Sequence, residues 1–196
     1  TVIEFMPTIL PGSDDDIIKE AARVFKKQGM EIHTGTKVTG GRREGEQVIV
    51  EVEENGASAT YTADCVLVSV GRKPALFGVD AAALGLTVGA RGEIVVDDQM
   101  RTNLPNVFAI GDAVGGKLLA HKAEEEGVVA AEVIAGQKAH IHYQNMPGVV
   151  YTWPEVATCG LTEAEVNASG RAYRVGKFPF SANGRARSMN ETSGFV

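Results

Sequence analysis

The stretch Thr102-Asn103-Leu104-Pro105-Asn106-Val107-Phe108-Ala109-Ile110-Gly111-Asp112 constrains this chain more than any other. Val107–Ile110 is a short apolar run with the texture of a strand buried on both faces. It ends at once on Gly111 and Asp112. A carboxylate at the tip of a buried strand is costly to leave unpaired, so it needs a polar partner. That partner is either a ligand hydroxyl or the first amides of the next helix, which Asp112 would cap.

A second apolar run, Cys65-Val66-Leu67-Val68-Ser69-Val70, gives way to Gly71-Arg72-Lys73-Pro74. Open α/β sheets bind ligands in the crevice at the carboxyl ends of such strands, and a glycine there lets backbone approach the ligand closely. Taken alone, 71–74 fits an ordinary strand-to-loop turn with Arg72 in solvent equally well.

The surrounding pattern is that of an α/β chain. Thr1–Phe5 reads as the end of a strand. Ser13 or Asp14 heads a helix with Asp15 and Asp16 in its first turn, an apolar stripe of Ile17, Ile18, Ala21, Val24 and Phe25, and Gly29 as its stop. A short strand follows at 31–34. Gln47–Glu53 and Ala59–Thr62 form a hairpin around Glu54-Asn55-Gly56. Gly92–Val96 is a further strand, and a well-buried helix runs from about Leu118 to Ala135 until Gly136 stops it. The stretch 144–148, with Pro147, is the most linker-like. Beyond it lie an extended segment at 149–152, a helix at 163–169 and a strand at 172–180.

Composition excludes several classes of function. A net charge of −6 gives no basic surface for nucleic acid or anionic membrane. No apolar run is long enough to cross a bilayer, and with no charged-then-apolar stretch after Thr1 a secretory leader is not expected. The two cysteines, Cys65 and Cys159, are too far apart for a redox pair and are expected to be packed thiols in a reducing compartment. Thr1 in place of Met and the apolar ending Phe195-Val196 give the expectation of a piece of a longer chain. Glu4 sits where the second strand of a dinucleotide-binding unit places an acid on the adenine ribose, yet only three residues precede it. The glycine fingerprint should lie about 20 residues upstream.

The 102–112 run resembles the second FAD-binding motif of the pyridine nucleotide–disulfide oxidoreductases. Leu118-Leu119-Ala120-His121-Lys122-Ala123-Glu124-Glu125-Glu126-Gly127 is similar to the flavin-edge segment of that family's dihydrolipoamide dehydrogenase branch. Tyr151-Thr152-Trp153-Pro154-Glu155-Val156-Ala157, Val175–Phe180 and Ser181–Arg187 extend the likeness, so it spans essentially the whole chain in consistent order.

The resemblance implies an α/β part of a two-dinucleotide flavoprotein in three pieces. Residues 1–72 are the back half of an NAD-binding domain, 73–143 a segment of the FAD domain, and 144–196 the start of an α+β dimerisation domain. It assigns Asp112, Leu118, Leu119, Ala120 and His121 to FAD, and Glu4, Val38 and Gly71 to NAD. It implies electron flow from dihydrolipoamide through a protein disulfide and FAD to NAD, and a homodimer formed through 144–196. It also implies partners among the 2-oxo acid dehydrogenase complexes or the glycine cleavage system, reached through lipoyl domains, in bacterial cytoplasm or mitochondrial matrix. The family's redox disulfide, both first glycine motifs and its catalytic His–Glu pair have no counterpart in this sequence, so the chain alone is expected to be inactive and no catalytic residue is assigned. A sister reductase for glutathione, trypanothione or mercuric ion, and a non-catalytic piece that pairs with another polypeptide, stay as alternatives; Tyr151-Thr152-Trp153-Pro154-Glu155 favours the dihydrolipoamide branch.

Other candidates weigh less. His140-Ile141-His142 could offer two imidazoles to a metal but has no third ligand at suitable spacing. Asp14–Asp16, Asp97-Asp98 and Glu124–Glu126 read as caps or solvated faces, and Ser188 and Ser193 have no base beside them. A parallel sheet with strands missing is expected to leave open edges and an uncovered apolar face.

Overall fold

The computed structural model describes residues Thr1–Val196. In chain order its elements are β1 (Val2–Ile3), α1 (Asp15–Lys27), β2 (Ile32–His33), β3 (Lys37–Glu44), β4 (Gln47–Glu54) and β5 (Ala57–Ala63). A 3-10 turn (Gly111–Val114), α2 (Ala120–Ile134), β6 (Gly148–Val150), β7 (Val156–Thr158), α3 (Glu163–Ala168) and α4 (Gly184–Ser188) follow. They form two compact units, residues 1–68 with 149–196, and residues 69–148.

In the first unit β1 pairs with β2 in parallel, and α1 makes the crossover between them. The helix forms where the sequence asks for it: Asp15 and Asp16 sit in its first turn, Lys26 and Lys27 in its last, and Gly29 leaves it at φ +92°. Ala21 and Phe25 bury against Val156, with Ile9, Leu10, Ile17 and Ile32 packed around them. Each such aliphatic or aromatic side chain contributes about 1.5–3 kcal/mol when fully buried.

The expected hairpin is present, with Glu54 opposite Ala57 and positive φ at Asn55 and Gly56, the pattern of a two-residue turn that follows strand twist. It is one strand larger than the sequence indicates. β3 adds to the free edge of β4 to give the order β3-β4-β5. Its sequence, KVTGGRRE, carries almost no strand propensity, and pairing with β4 is what makes it extended.

In the second unit Met100, Val129, Ala130, Val133 and Ala139 form one cluster, and Ala81, Leu86 and Ile94 another. The α2 stripe is narrower than expected, since Val128 and Ile134 are exposed.

Several expected strands are absent. Cys65–Val70 has no ladder, and Leu67 and Val70 are 89% and 91% exposed. An apolar run becomes a strand only when a neighbour supplies hydrogen bonds along its edge, and no segment of this chain pairs with it. The expected uncovered apolar face is therefore at 65–70. Val107–Ile110 is reduced to a single bridge between Phe108 and Arg101, Gly92–Val96 to one between Ile94 and Val88, and 172–180 to one between Pro179 and Phe195. Cys65 and Cys159, expected as packed thiols, are both exposed.

Candidate cofactor site

The second unit brings Asp112 and the 118–121 segment onto one scaffold. Gly111 opens the 3-10 turn at φ +71°, and a Cβ there would lie 3.2 Å from the Cβ of Ala123. Glycine is thus required twice over, by conformation and by contact. The Gly115 N–H donates to the Asp112 carbonyl (3.2 Å) and the Ile94 N–H to that of Ala113 (2.8 Å), which anchors the turn.

Both peptide groups of Gly111 are held by side chains of α2. Its N–H donates to Glu126 Oε2 (2.7 Å), and its carbonyl accepts from Lys122 Nζ (3.1 Å). Lys122 and Glu126 pair with each other at 2.9 Å, with side chains 3% and 0% exposed. The Tyr143 hydroxyl donates to Glu126 Oε1 (2.7 Å). Burial first, and then this bond to a carboxylate, push the Tyr143 phenol far above its ordinary pKa. A buried pair survives only when its remaining donors and acceptors are used, and here they are.

Asp112, expected at the tip of a buried strand, is exposed and makes no hydrogen bond of its own side chain. The segment before it is bridged on one side only, to residues 100–102, and its tip stays in solvent. Leu119 heads α2 in extended conformation with no side-chain cap, which leaves the first N–H groups of the helix without partners. The ring of His121 is committed elsewhere: Nε2 donates to the Pro147 carbonyl (2.8 Å). Arg72, Lys73, Arg91, Glu93, Gly115 and Leu118 line a net positive cleft of about 430 Å³. A free acceptor carboxylate beside free backbone donors suits a ligand with sugar-type hydroxyls and an electronegative ring edge, as FAD has.

Of the residues assigned to NAD, Glu4 ends β1 and accepts the Met6 N–H (2.7 Å) through one carboxylate oxygen. Val38 is 51% exposed on β3. Gly71, in the second unit, has φ +112° with open space where a side chain would stand. His140 and His142 meet at 2.9 Å between their Nε2 atoms, and no three His, Cys, Asp or Glu side chains cluster as metal ligands.

Sequence reasoning missed Lys122, Glu126 and Tyr143. It took Glu124–Glu126 as a solvated face, yet Glu126 is fully buried. The signal was available: Lys122 and Glu126 share the i, i+4, i+7, i+11 face with Val129 and Val133.

Residues 1–127 match the family model described as pyridine nucleotide-disulphide oxidoreductase, and 146–196 match that family's dimerisation domain. The chain is 45% identical to Dihydrolipoyl dehydrogenase 2, mitochondrial, of Arabidopsis thaliana over 198 residues, which is all of this chain and 39% of the relative. It is 45% identical to the dihydrolipoyl dehydrogenase of Cupriavidus necator, again across its full length and 42% of the relative. The chain therefore spans about two fifths of these proteins. Among solved structures, the Cu(II) complex of the HOCl-induced flavoprotein disulfide reductase RclA from Escherichia coli superposes with a TM-score of 0.86 at 30% identity, covering 98% of this chain and 43% of that one.

Proposed function

We propose, for a chain that belongs to the pyridine nucleotide–disulphide oxidoreductases, that it supplies the second flavin contact and part of the nicotinamide-dinucleotide site of a dihydrolipoyl dehydrogenase. The observation that carries this reading is the exposed, unbonded carboxylate of Asp112 beside the uncapped start of α2.

The flavin, when bound, relays two electrons between a dithiol and the nicotinamide. Asp112 would accept hydrogen bonds from ribityl hydroxyls, and the 118–121 backbone would face the flavin edge, with the N–H groups of Leu118, Ala120 and His121 as donors and Leu119, whose N–H donates to the Lys117 carbonyl (3.1 Å), as a contact. His121 orients the segment, its Nε2–H being held by the Pro147 carbonyl. Glu4 keeps one carboxylate oxygen for ribose hydroxyls, which favours NAD over its phosphorylated analogue. Val38 adds apolar contact, and Gly71 lets backbone approach the dinucleotide. Residues 144–196 contribute to a homodimer interface, as the dimerisation-domain match supports. In the whole enzyme the electrons come from dihydrolipoamide, carried on the lipoyl domains of 2-oxo acid dehydrogenase or glycine cleavage assemblies.

The test is a hybrid in which these 196 residues replace the aligned stretch of the Cupriavidus necator dihydrolipoyl dehydrogenase. The expected result is a yellow dimer with one flavin per chain that reduces NAD with dihydrolipoamide. A folded but colourless dimer overturns the flavin assignment. A flavin-loaded dimer that ignores dihydrolipoamide and turns over glutathione, trypanothione or mercuric ion assigns the chain to a sister reductase.

A further inference from the structure

We infer that Lys122 and Glu126 are positioning residues for the flavin contact: they hold the Asp112 turn in register with the uncapped start of α2. This rests on the flavin reading above, and it concerns residues that reading does not use.

The pair does more than fill the core. A buried Lys–Glu pair is a weak stabiliser, and apolar side chains of similar volume often do as well or better. This pair differs from one that merely closes on itself along a helix. Lys122 reaches the carbonyl of Gly111 (3.1 Å) and Glu126 reaches its N–H (2.7 Å), so the two ends of one residue are gripped by opposite charges. Gly111 is where such a grip matters. Its φ of +71° lies in a region where glycine is free to move, and the next residue is Asp112. Fixing both neighbouring peptide planes fixes the direction in which the Asp112 side chain leaves the turn.

Both contact segments then depend on one helix. Its first turn carries the 118–121 backbone, and side chains one and two turns further on carry the turn that bears Asp112. Tyr143 completes the carboxylate shell of Glu126 (2.7 Å), so the grip cannot rotate away without leaving a buried charge unpaired. The close approach of Gly111 to Ala123 sets the spacing from the other side.

The experiment is a double-mutant cycle on FAD affinity in the hybrid enzyme, which carries the full chain, with Asp112→Asn, Glu126→Gln and their combination. Apo-protein is titrated with FAD and followed by flavin fluorescence. Glu126→Gln is expected to weaken FAD binding by about ten- to a hundred-fold, the size of effect that one hydrogen bond to a charged group carries. The loss from Asp112→Asn should shrink in the Glu126→Gln background, because the carboxylate is by then misdirected. Hydrogen exchange on the 196-residue chain without flavin gives a second readout: the Gly111 amide should be protected, and should exchange faster in Glu126→Gln. If Glu126→Gln does not fold, the pair Lys122→Met with Glu126→Leu replaces it in the cycle, since it leaves no lone buried charge.

Strictly additive losses, or unchanged FAD affinity in a folded variant, overturn the positioning role while leaving the flavin site intact. A wild-type hybrid that folds without binding FAD overturns the flavin assignment, and this role with it.

Discussion

The carboxylate of Asp14, the residue at the head of α1, accepts the backbone N–H of Glu163 at 2.7 Å, across 149 positions of sequence. It makes no capping bond to its own helix. Thr162 and Glu165 form a capping box at the same end of α3. The start of α3 is therefore satisfied from within and from α1, and a second link, between Lys177 and Asp16, joins the same regions. Asp14→Ala should lower stability by about 1 kcal/mol, the net contribution of one such hydrogen bond. Asp14→Asn, which keeps an acceptor oxygen, should retain most of it. Urea midpoints of the three proteins check this, and equal losses for Ala and Asn would contradict the hydrogen-bond account.

Breaking the buried pair should cost far more than removing it. Lys122→Met leaves Glu126 charged with 0% exposure, and should destabilise by about 3–5 kcal/mol. Lys122→Met combined with Glu126→Leu should recover part of that loss, though the Gly111 N–H then lacks its acceptor. Chemical denaturation decides the matter. A double variant less stable than Lys122→Met would show that the charge is not what makes the single change costly.

Acid should weaken the first unit through Glu54. Its carboxyl is held below the usual range chiefly by the hydrogen bond with His33; burial opposes this, and the Tyr61 hydroxyl adds a smaller lowering. A carboxyl whose folded pKa is depressed contributes stability above its unfolded value, and loses it as pH falls through the folded value. The loss should fall below about pH 4, given the ordinary glutamate pKa. Glu54→Gln should flatten that part of a stability-against-pH curve by lowering the neutral plateau, so that variant and parent converge in acid. An identical acid limb in the variant would remove Glu54 from the account.

Two glycine substitutions separate strain from contact. Gly136 leaves α2 at φ +79°, and nothing lies within 4 Å of where a Cβ would stand, so Gly136→Ala should cost about 1 kcal/mol of backbone strain. Gly111→Ala carries the same strain and also presses on Ala123 at 3.2 Å, so it should cost more and should impair flavin loading of the hybrid. Thermal melts together with the flavin absorption band distinguish the two.

The exposed run at 65–70 should drive association. Leu67 and Val70 stand in solvent at 89% and 91%, in a segment with high strand propensity and unpaired edges. Leu67→Lys should raise the concentration at which the chain scatters light, without lowering its melting temperature. A variant that aggregates as the parent does would place the sticky surface elsewhere.

How much was legible depended on whether the cause lay nearby in the chain. α1 could be read because its acidic start, apolar stripe, basic end and Gly29 lie within one short segment, and local rules govern all four. The β4–β5 hairpin could be read because Asn55-Gly56 fixes its own turn. β3 could not, because its polar sequence becomes a strand only through the edge of β4.

Within the candidate site, Asp112 and the 118–121 segment stood out as motifs, while the residues that grip Gly111 did not. Charge at Glu126 argued for solvent, and only its place on the buried face of α2 overrides that, since a helix buries a whole stripe regardless of which residue occupies it. The sequence by itself determined the helices, the hairpin turn and the family likeness, because each rests on neighbouring residues or on ordered motifs. Tertiary structure alone decided that Cys65–Val70 is no strand here and that Lys122 and Glu126 close on Gly111. Both outcomes depend on partners distant in sequence: a ladder that no segment of this chain provides, and a glycine peptide that folding brings within hydrogen-bond reach.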